Sequence, residues 1–213
     1  GPANCASRGM KIVLTGKTSH ASAPEDGVSP MAALSSLMPA LTALGRGGAL
    51  DAGYSLVTVT HAAMGEAAFG IAPGYAELWA TLRTLGDSGM AALVSRAEAM
   101  ARDAAESSGL GADISYHDIF HHCENDAEAT LLLQSAFAAE RVRHHEADTM
   151  RASEDFGLFG SRGGAKSAMF QLGSGETSPQ LHNPDFDFPD ALIEPGVRIF
   201  ARAVLAKPGA FED

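Results

Sequence analysis

The sequence predicts an α/β chain of the α+β kind, on three observations. In the first 120 residues, four stretches alternate apolar and polar side chains with the period of a strand. Two long stretches repeat apolar side chains with the period of a helix. The two kinds interleave along the chain instead of segregating.

Met10 to Thr15 alternates, with Met10, Ile12 and Leu14 on one side, and reads as the first strand. Ser29-Pro30 reads as a helix start, with Ser capping and Pro at the first helical position. Met31, Leu34, Leu37, Met38, Leu41 and Leu44 follow at helical spacing, and Pro39 predicts a kink or break. Gly45, Gly47 and Gly48 close that helix. Ser55 to His61, rich in β-branched residues, is a second strand. Met64 to Gly74 is a Gly/Ala/Pro connection. Tyr75 to Thr84 is a third strand, with Leu78, Ala80 and Leu82 on one face and Trp79, Thr81 and Arg83 on the other. Asp87 or Ser88 is expected to cap a long helix with an apolar stripe through Met90, Leu93, Val94, Ala97, Met100, Ala101 and Ala104. Ala112 to Ile119 is a fourth strand.

That order, β-α-β-β-α-β, is the split βαβ or ferredoxin-like arrangement, with two helices on one face of a four-stranded antiparallel sheet. Residues 9–120 suffice for such a domain. Residues 121–213 look different: an Ala/Leu helix over 126–140, a short helix over 153–159 capped by Ser153, and an isolated strand over 168–173. A polar loop (180–189) and a closing helix (190–206) follow. One strand and a few helices cannot build a sheet-based core, so this region is expected to need partner strands.

Composition narrows the function classes. Against 15 Lys and Arg stand 26 Asp and Glu, a formal net charge of -11. Phosphate backbones need a basic footprint, so a nucleic-acid partner is not expected. No apolar run approaches the ~20 residues that span a bilayer, so no membrane partner is expected either. The start lacks the basic, apolar and small-residue regions of a signal peptide, and the 2 cysteines make no disulfide framework. A cytoplasmic setting is the expectation.

Several residues could carry chemistry. His20 lies in G-K-T-S-H-A-S-A-P just beyond the first strand, where small neighbours allow close approach to a ligand. His182 lies in L-H-N-P-D-F-D-F, and imidazole is the commonest metal ligand. A metal site needs three or four ligands, however, and no other His or Cys shares a recognisable spacing with it. His121-His122-Cys123 and His144-His145-Glu146 place neighbours in different directions, and solvated turns are the plainer reading. Arg83 carries a guanidinium suited to gripping a carboxylate through two parallel hydrogen bonds, although a surface ion pair is the commoner fate. Gly173-Ser174-Gly175 ends a strand without the helix that a dinucleotide site needs.

Taken in order, these segments resemble the co-catalytic zinc amidohydrolases, metallopeptidase family twenty, in the branch of aminoacylases and hippurate hydrolases. G-K-T-S-H-A-S-A-P is similar to the family's G-x-x-x-H-x-x-x-P loop in its lid or dimerisation domain. G-E-A-A-F-G-I-A-P-G-Y-A-E-L-W-A-T-L-R resembles the lid segment that ends in the substrate-gripping Arg. S-E-D-F, then L-G-S-G and L-H-N-P-D-F-D-F, resemble the C-terminal part of the catalytic domain. The resemblance implies that His20 crosses a dimer interface to stabilise the oxyanion in the partner's site, and that Arg83 binds the substrate carboxylate. It implies that Gly173 and Gly175 line the cleft, that His182 is the last metal ligand, and that Glu154 and Asp155 belong to a supporting helix.

The implied reaction is metal-dependent hydrolysis of an N-acyl amino acid or related small amide by a homodimer. Two divalent ions, zinc foremost, would acidify the attacking water. Two departures stand out. Gly70 occupies the place where many relatives carry Asn in N-x-x-P. The family's H-x-C-G-H-D or H-x-D motif and E-E pair, which precede the lid, are absent from these residues. The chain is therefore expected to be the back half of such an enzyme. The alternative is a non-catalytic ferredoxin-like dimerisation module.

Overall fold

The structure, a computed structural model, describes residues 1–146 and 148–206. It divides into two compact units, one made of 2–123 with 149–155, the other of 1, 124–148 and the residues from 156 onward.

The first unit holds strands β1 (Ala6–Thr15), β2 (Ser55–Met64), β3 (Tyr75–Thr84) and β4 (Gly111–Phe120), with helices α1 (Met31–Thr42) and α2 (Asp87–Ser107). The antiparallel sheet has the order β2-β3-β1-β4, the split βαβ topology expected from the element order. At its centre Ile12 lies opposite Leu78 on one side and Ile114 on the other. Alternation puts Met10, Ile12, Leu14, Leu78 and Leu82 on the face that both helices cover, and all five are buried. Leu34, Leu37 and Leu41 of α1 and Met90, Leu93, Ala97 and Ala101 of α2 close the core. Each fully buried aliphatic side chain contributes about 1.5–3 kcal/mol, so this layer stabilises the unit.

The opposite sheet face is polar and open. Lys11 pairs with Glu77 at 2.6 Å and lies 5.3 Å from the centre of the Trp79 ring, whose other neighbour is the edge-on His61 ring. That covering lets Trp79 sit half-exposed on a sheet surface.

Several local expectations are corrected. α1 runs unbroken through Pro39. The proline lies near the C-terminal end, where the one intrahelical bond it removes costs little continuity. α2 starts after Gly86, with no side-chain cap. The Asp87 carboxylate instead accepts hydrogen bonds from His121 Nδ1 (2.9 Å) and the His122 amide (3.1 Å). The His121-His122 pair is thus not a solvated turn. His144, His145 and Glu146 are exposed as expected, with the His144 ring tilted against Phe137, 5.0 Å between centres.

Burial pushes the Asp87 carboxyl up, but the bonds from His121 and the His122 amide and the two imidazole charges more than offset this. Its net shift is below the ordinary value. Stability from this pairing is therefore present above the unfolded value of about 3.9 and lost as pH falls through the lower folded value. Asp87→Asn is expected to flatten the fall in Tm below about pH 4, measured by calorimetry across acid pH. An unchanged acid limb would contradict this assignment.

The second unit contains α3 (Ala127–Ala139), α4 (Gly157–Ser161) and α5 (Ile193–Leu205), the last preceded by a 3-10 turn at Asp190–Leu192. Asp126 caps α3 by accepting from the Ala129 amide at 2.9 Å. The helix expected over 153–159 forms only from Gly157, because the Ser153 hydroxyl accepts from Arg83 instead of capping. The strand expected over 168–173 does not form. In place of a strand partner, the Asn125 side chain bonds both the amide and the carbonyl of Met169, each at 2.8 Å. The buried hydrophobic cluster here is small: Ala136, Phe137 and Ile199. Ile193, Val197, Phe200 and Val204 of α5, an apolar stripe, are each more than half exposed.

Candidate functional site

His20 is held by a loop that leaves β1 at Thr15 and turns back on itself. Gly16 makes the turn possible, since a Cβ there would stand 2.0 Å from the Val28 carbonyl oxygen. Lys17 and Val28 exchange backbone hydrogen bonds at 3.0 and 2.8 Å. Ser19–His20 then forms a two-residue antiparallel ladder with Ile71–Ala72, His20 opposite Ile71. Within the loop, the Ser22 amide donates to His20 Nδ1 at 3.1 Å, and the Ser22 hydroxyl lies 2.7 Å from the same atom. A nitrogen that accepts an amide proton carries none itself, so the neutral ring holds its proton on Nε2. The exposed imidazole therefore offers an Nε2–H donor to solvent. Ser22, which fixes this tautomer, was not singled out from the sequence; its position two residues beyond a loop His was the available signal.

Arg83 points from the polar face of β3. Its Nη1 donates to the Arg151 carbonyl (3.0 Å) and the Ser153 hydroxyl (2.9 Å). Both partners are neutral, so the guanidinium is not spent on the surface ion pair that is its commoner fate. Arg151 was also missed. Its Nη2 donates to the Gly48 carbonyl at 3.3 Å, and its guanidinium lies over the Tyr54 ring. Both charges act on the buried Cys5 thiol: burial pushes that thiol up, and Arg83 and Arg151 partly oppose it. The arrangement is an electropositive corner in an acidic chain, suited to a carboxylate.

His20 and Arg83 are far apart. Arg83 lies opposite Ser7, near the start of β1, whereas His20 lies beyond Thr15, where β1 ends. At strand rise the two ends stand roughly 25 Å from each other. No small substrate could touch both in one copy.

Gly173, Gly175 and His182 belong to the second unit. Gly175 has φ +108 and His182 has φ +72, and both lie in irregular chain. Glu154 and Asp155 precede α4 and are not in a helix. Among the described residues no group of three or more His, Cys, Asp or Glu is placed to hold a metal ion. The residues present do not by themselves fit a metal centre, and His182 stands as a single candidate ligand. No helix among them is long and apolar enough to cross a membrane.

The first unit is thus a split βαβ domain with an exposed His on a side ladder and an Arg outside any ion pair. Residues 3–108 match the family model of the peptidase dimerisation domain, M20_dimer, and that part of the chain is such a domain. Solved structures agree in fold. A protein named as an aminohydrolase from methicillin-resistant Staphylococcus aureus superposes with a TM-score of 0.71 at 22% identity, over 96% of this chain and 51% of its own. The Bacillus subtilis YXEP protein, described as a dinuclear metal binding peptidase from the M20 family, gives 0.71 at 19%, over 95% and 50%. An aminobenzoyl-glutamate utilization protein from Klebsiella pneumoniae gives 0.65 at 20%, over 79% and 43%. The chain thus spans about half the length of the first two structures.

Proposed function

We propose that this chain supplies the lid (9–120) and part of the catalytic body (121–213) of a homodimeric, metal-dependent amidohydrolase acting on N-acyl amino acids or related small amides. The observation that carries the proposal is the separation of His20 and Arg83 at opposite ends of one sheet. A site using both must draw them from two copies.

The sheet edges favour this arrangement. β4 carries Asp113 and Asp118, the latter with φ +47, and its pairing with β1 slips between Ser7 and Gly9. Charge and a bulge protect an edge from pairing. β2, S-L-V-T-V-T-H-A-A-M, has neither Lys, Glu, Asp nor Pro over its 10 residues. Its pairing with β3 slips once, between Val59 and His61, but its uncharged residues leave an edge suited to antiparallel pairing with a second copy. The two-fold axis of such a pair reverses direction, so the His20 end of one sheet lies beside the Arg83 end of the other.

In that site the His20 Nε2–H donates to the carbonyl oxygen as negative charge develops there, where a preorganised donor acts most strongly. The Arg83 fork orients the free carboxylate. Gly173 and Gly175 line the cleft. His182 would supply one ligand to the divalent ions that the family resemblance implies, zinc foremost. Metal ions supply such sites with polarising charge and an acidified water.

The test is hydrolysis of N-acetyl amino acids by the full-length protein, with and without a chelator. Activity abolished by the chelator and restored by zinc is expected. A metal-free dimer without hydrolytic activity would instead mark a non-catalytic dimerisation module. The interface has its own test. Thr58→Lys with Thr60→Lys places like charges along the β2 edge, and both positions are exposed. The double variant is expected to sediment as a folded monomer with its activity lost; an unchanged dimer would exclude the β2 edge.

A further inference from the structure

Residues 149–155 belong to the first compact unit, although the chain on both sides of them belongs to the second. Main chain holds this strap in place. Met150 pairs with Asn4 in a parallel bridge, and the Met150 amide donates to Ala3 O at 2.8 Å. The Cys5 amide donates to Met150 O (3.0 Å) and Ala152 O (3.2 Å), and the Cys123 thiol donates to Glu154 O (3.3 Å). Ser153 therefore lies between two anchored residues, and it is half-buried. Its hydroxyl stands where a helix cap would stand. It instead accepts from Arg83 Nη1 at 2.9 Å, and the helix begins only at Gly157. The Arg151 carbonyl accepts from the same nitrogen at 3.0 Å.

We propose that Ser153 is a positioning residue for Arg83: with the Arg151 carbonyl it fixes the guanidinium plane so that the Nε–Nη2 edge meets the substrate carboxylate. The proposal rests on the reading that Arg83 grips that carboxylate. The guanidinium is a planar fork, and both hydrogens of Nη1 have acceptors in the strap. Two acceptors on one nitrogen oppose rotation about the Nε–Cζ bond. They leave Nε and Nη2 as the parallel donors that suit a carboxylate. Neither of these has an acceptor among the described residues. Both strap acceptors are neutral, so they aim the fork without cancelling the charge that draws an anion. The sheet supplies the other constraint. Arg83 lies in register between Leu56 of β2 and Ser7 of β1, which sets where its stem begins. Strand register thus places the root of the side chain, and the strap sets the direction of its head.

The experiment compares Ser153→Ala and Ser153→Thr in the full-length enzyme on N-acetylalanine and on its carboxamide, N-acetylalaninamide. Ser153→Ala is expected to raise KM for N-acetylalanine by about threefold to tenfold, the worth of one hydrogen bond, with kcat unchanged. The carboxylate takes no part in the reaction, so its grip is equal in the ground and transition states. The carboxamide should not respond. Ser153→Thr, which restores the hydroxyl, should return KM toward wild type. Equal loss on both substrates, no loss on either, or no recovery in Ser153→Thr overturns the proposal. Arg83→Lys separates it from the reading beneath it. If that variant treats the two substrates alike, or if wild type hydrolyses neither, the carboxylate grip fails on its own. Nitrogen-15 NMR of the Arg83 side chain then decides the positioning. Rotation about Nε–Cζ that is slow in wild type, faster in Ser153→Ala and slow again in Ser153→Thr supports it. A rate equal in all three overturns it.

Discussion

Replacing His20 by Ala in the full-length enzyme is expected to lower kcat by about 10²–10³-fold, the cost of removing one oxyanion donor. KM should move little, because the donor meets its charge only as the transition state forms. Metal content and dimer mass should stay at wild-type values, since His20 hangs on an exposed ladder remote from His182 in sequence and, among the described residues, makes its side-chain bonds only with Ser22. Ser22→Ala gives a graded version. It removes the hydroxyl beside Nδ1 and keeps the amide that fixes the tautomer, so its effect on kcat should be much smaller. A His20→Ala variant that lost metal, or one whose loss lay wholly in KM, would contradict the role.

Arg83→Lys is expected to lower kcat/KM for an N-acyl amino acid by about tenfold to a hundredfold, the worth of charge-assisted hydrogen bonds lost with the fork. The same substrate with its carboxylate converted to an amide should respond far less, because it offers no anion to grip. That comparison separates binding from architecture. Arg83 also ties Arg151 and Ser153 to β3 through its Nη1. If that structural role were the whole of its function, both substrates would lose activity alike and Tm would fall in step.

Much of the first unit was legible in the sequence because one physical rule governs it. A sheet with one covered face must alternate, and Ile12, Leu78 and Leu82 do so without exception. The helix starts were harder. Asp87 and Ser153 both look like caps, and each is claimed by a partner distant in sequence: Asp87 by His121 and His122, Ser153 by Arg83. Local capping patterns do not register such competition. The strand expected at 168–173 failed for a different reason. Its residues have strand character, but a strand exists only with a neighbour, and here a single Asn125 side chain stands in for one.

The candidate site divides in the same way. Residue types and order pointed to His20, Arg83 and His182. The register of β1 against β3, which puts Arg83 beside Ser7 and far from His20, was invisible until the strands were paired. On the proposed function, that separation calls for two copies.

The most direct test mixes two impaired full-length variants, His20→Ala and His182→Ala, under conditions that allow subunit exchange. In a hybrid dimer the His20→Ala copy keeps an intact His182 and receives His20 from its partner. Activity is predicted to rise on mixing well above that of either parent, in step with the fraction of hybrid dimers. Hybrids that form, as shown by mass, and yet remain inactive would contradict the claim that His20 of one copy serves the site of the other.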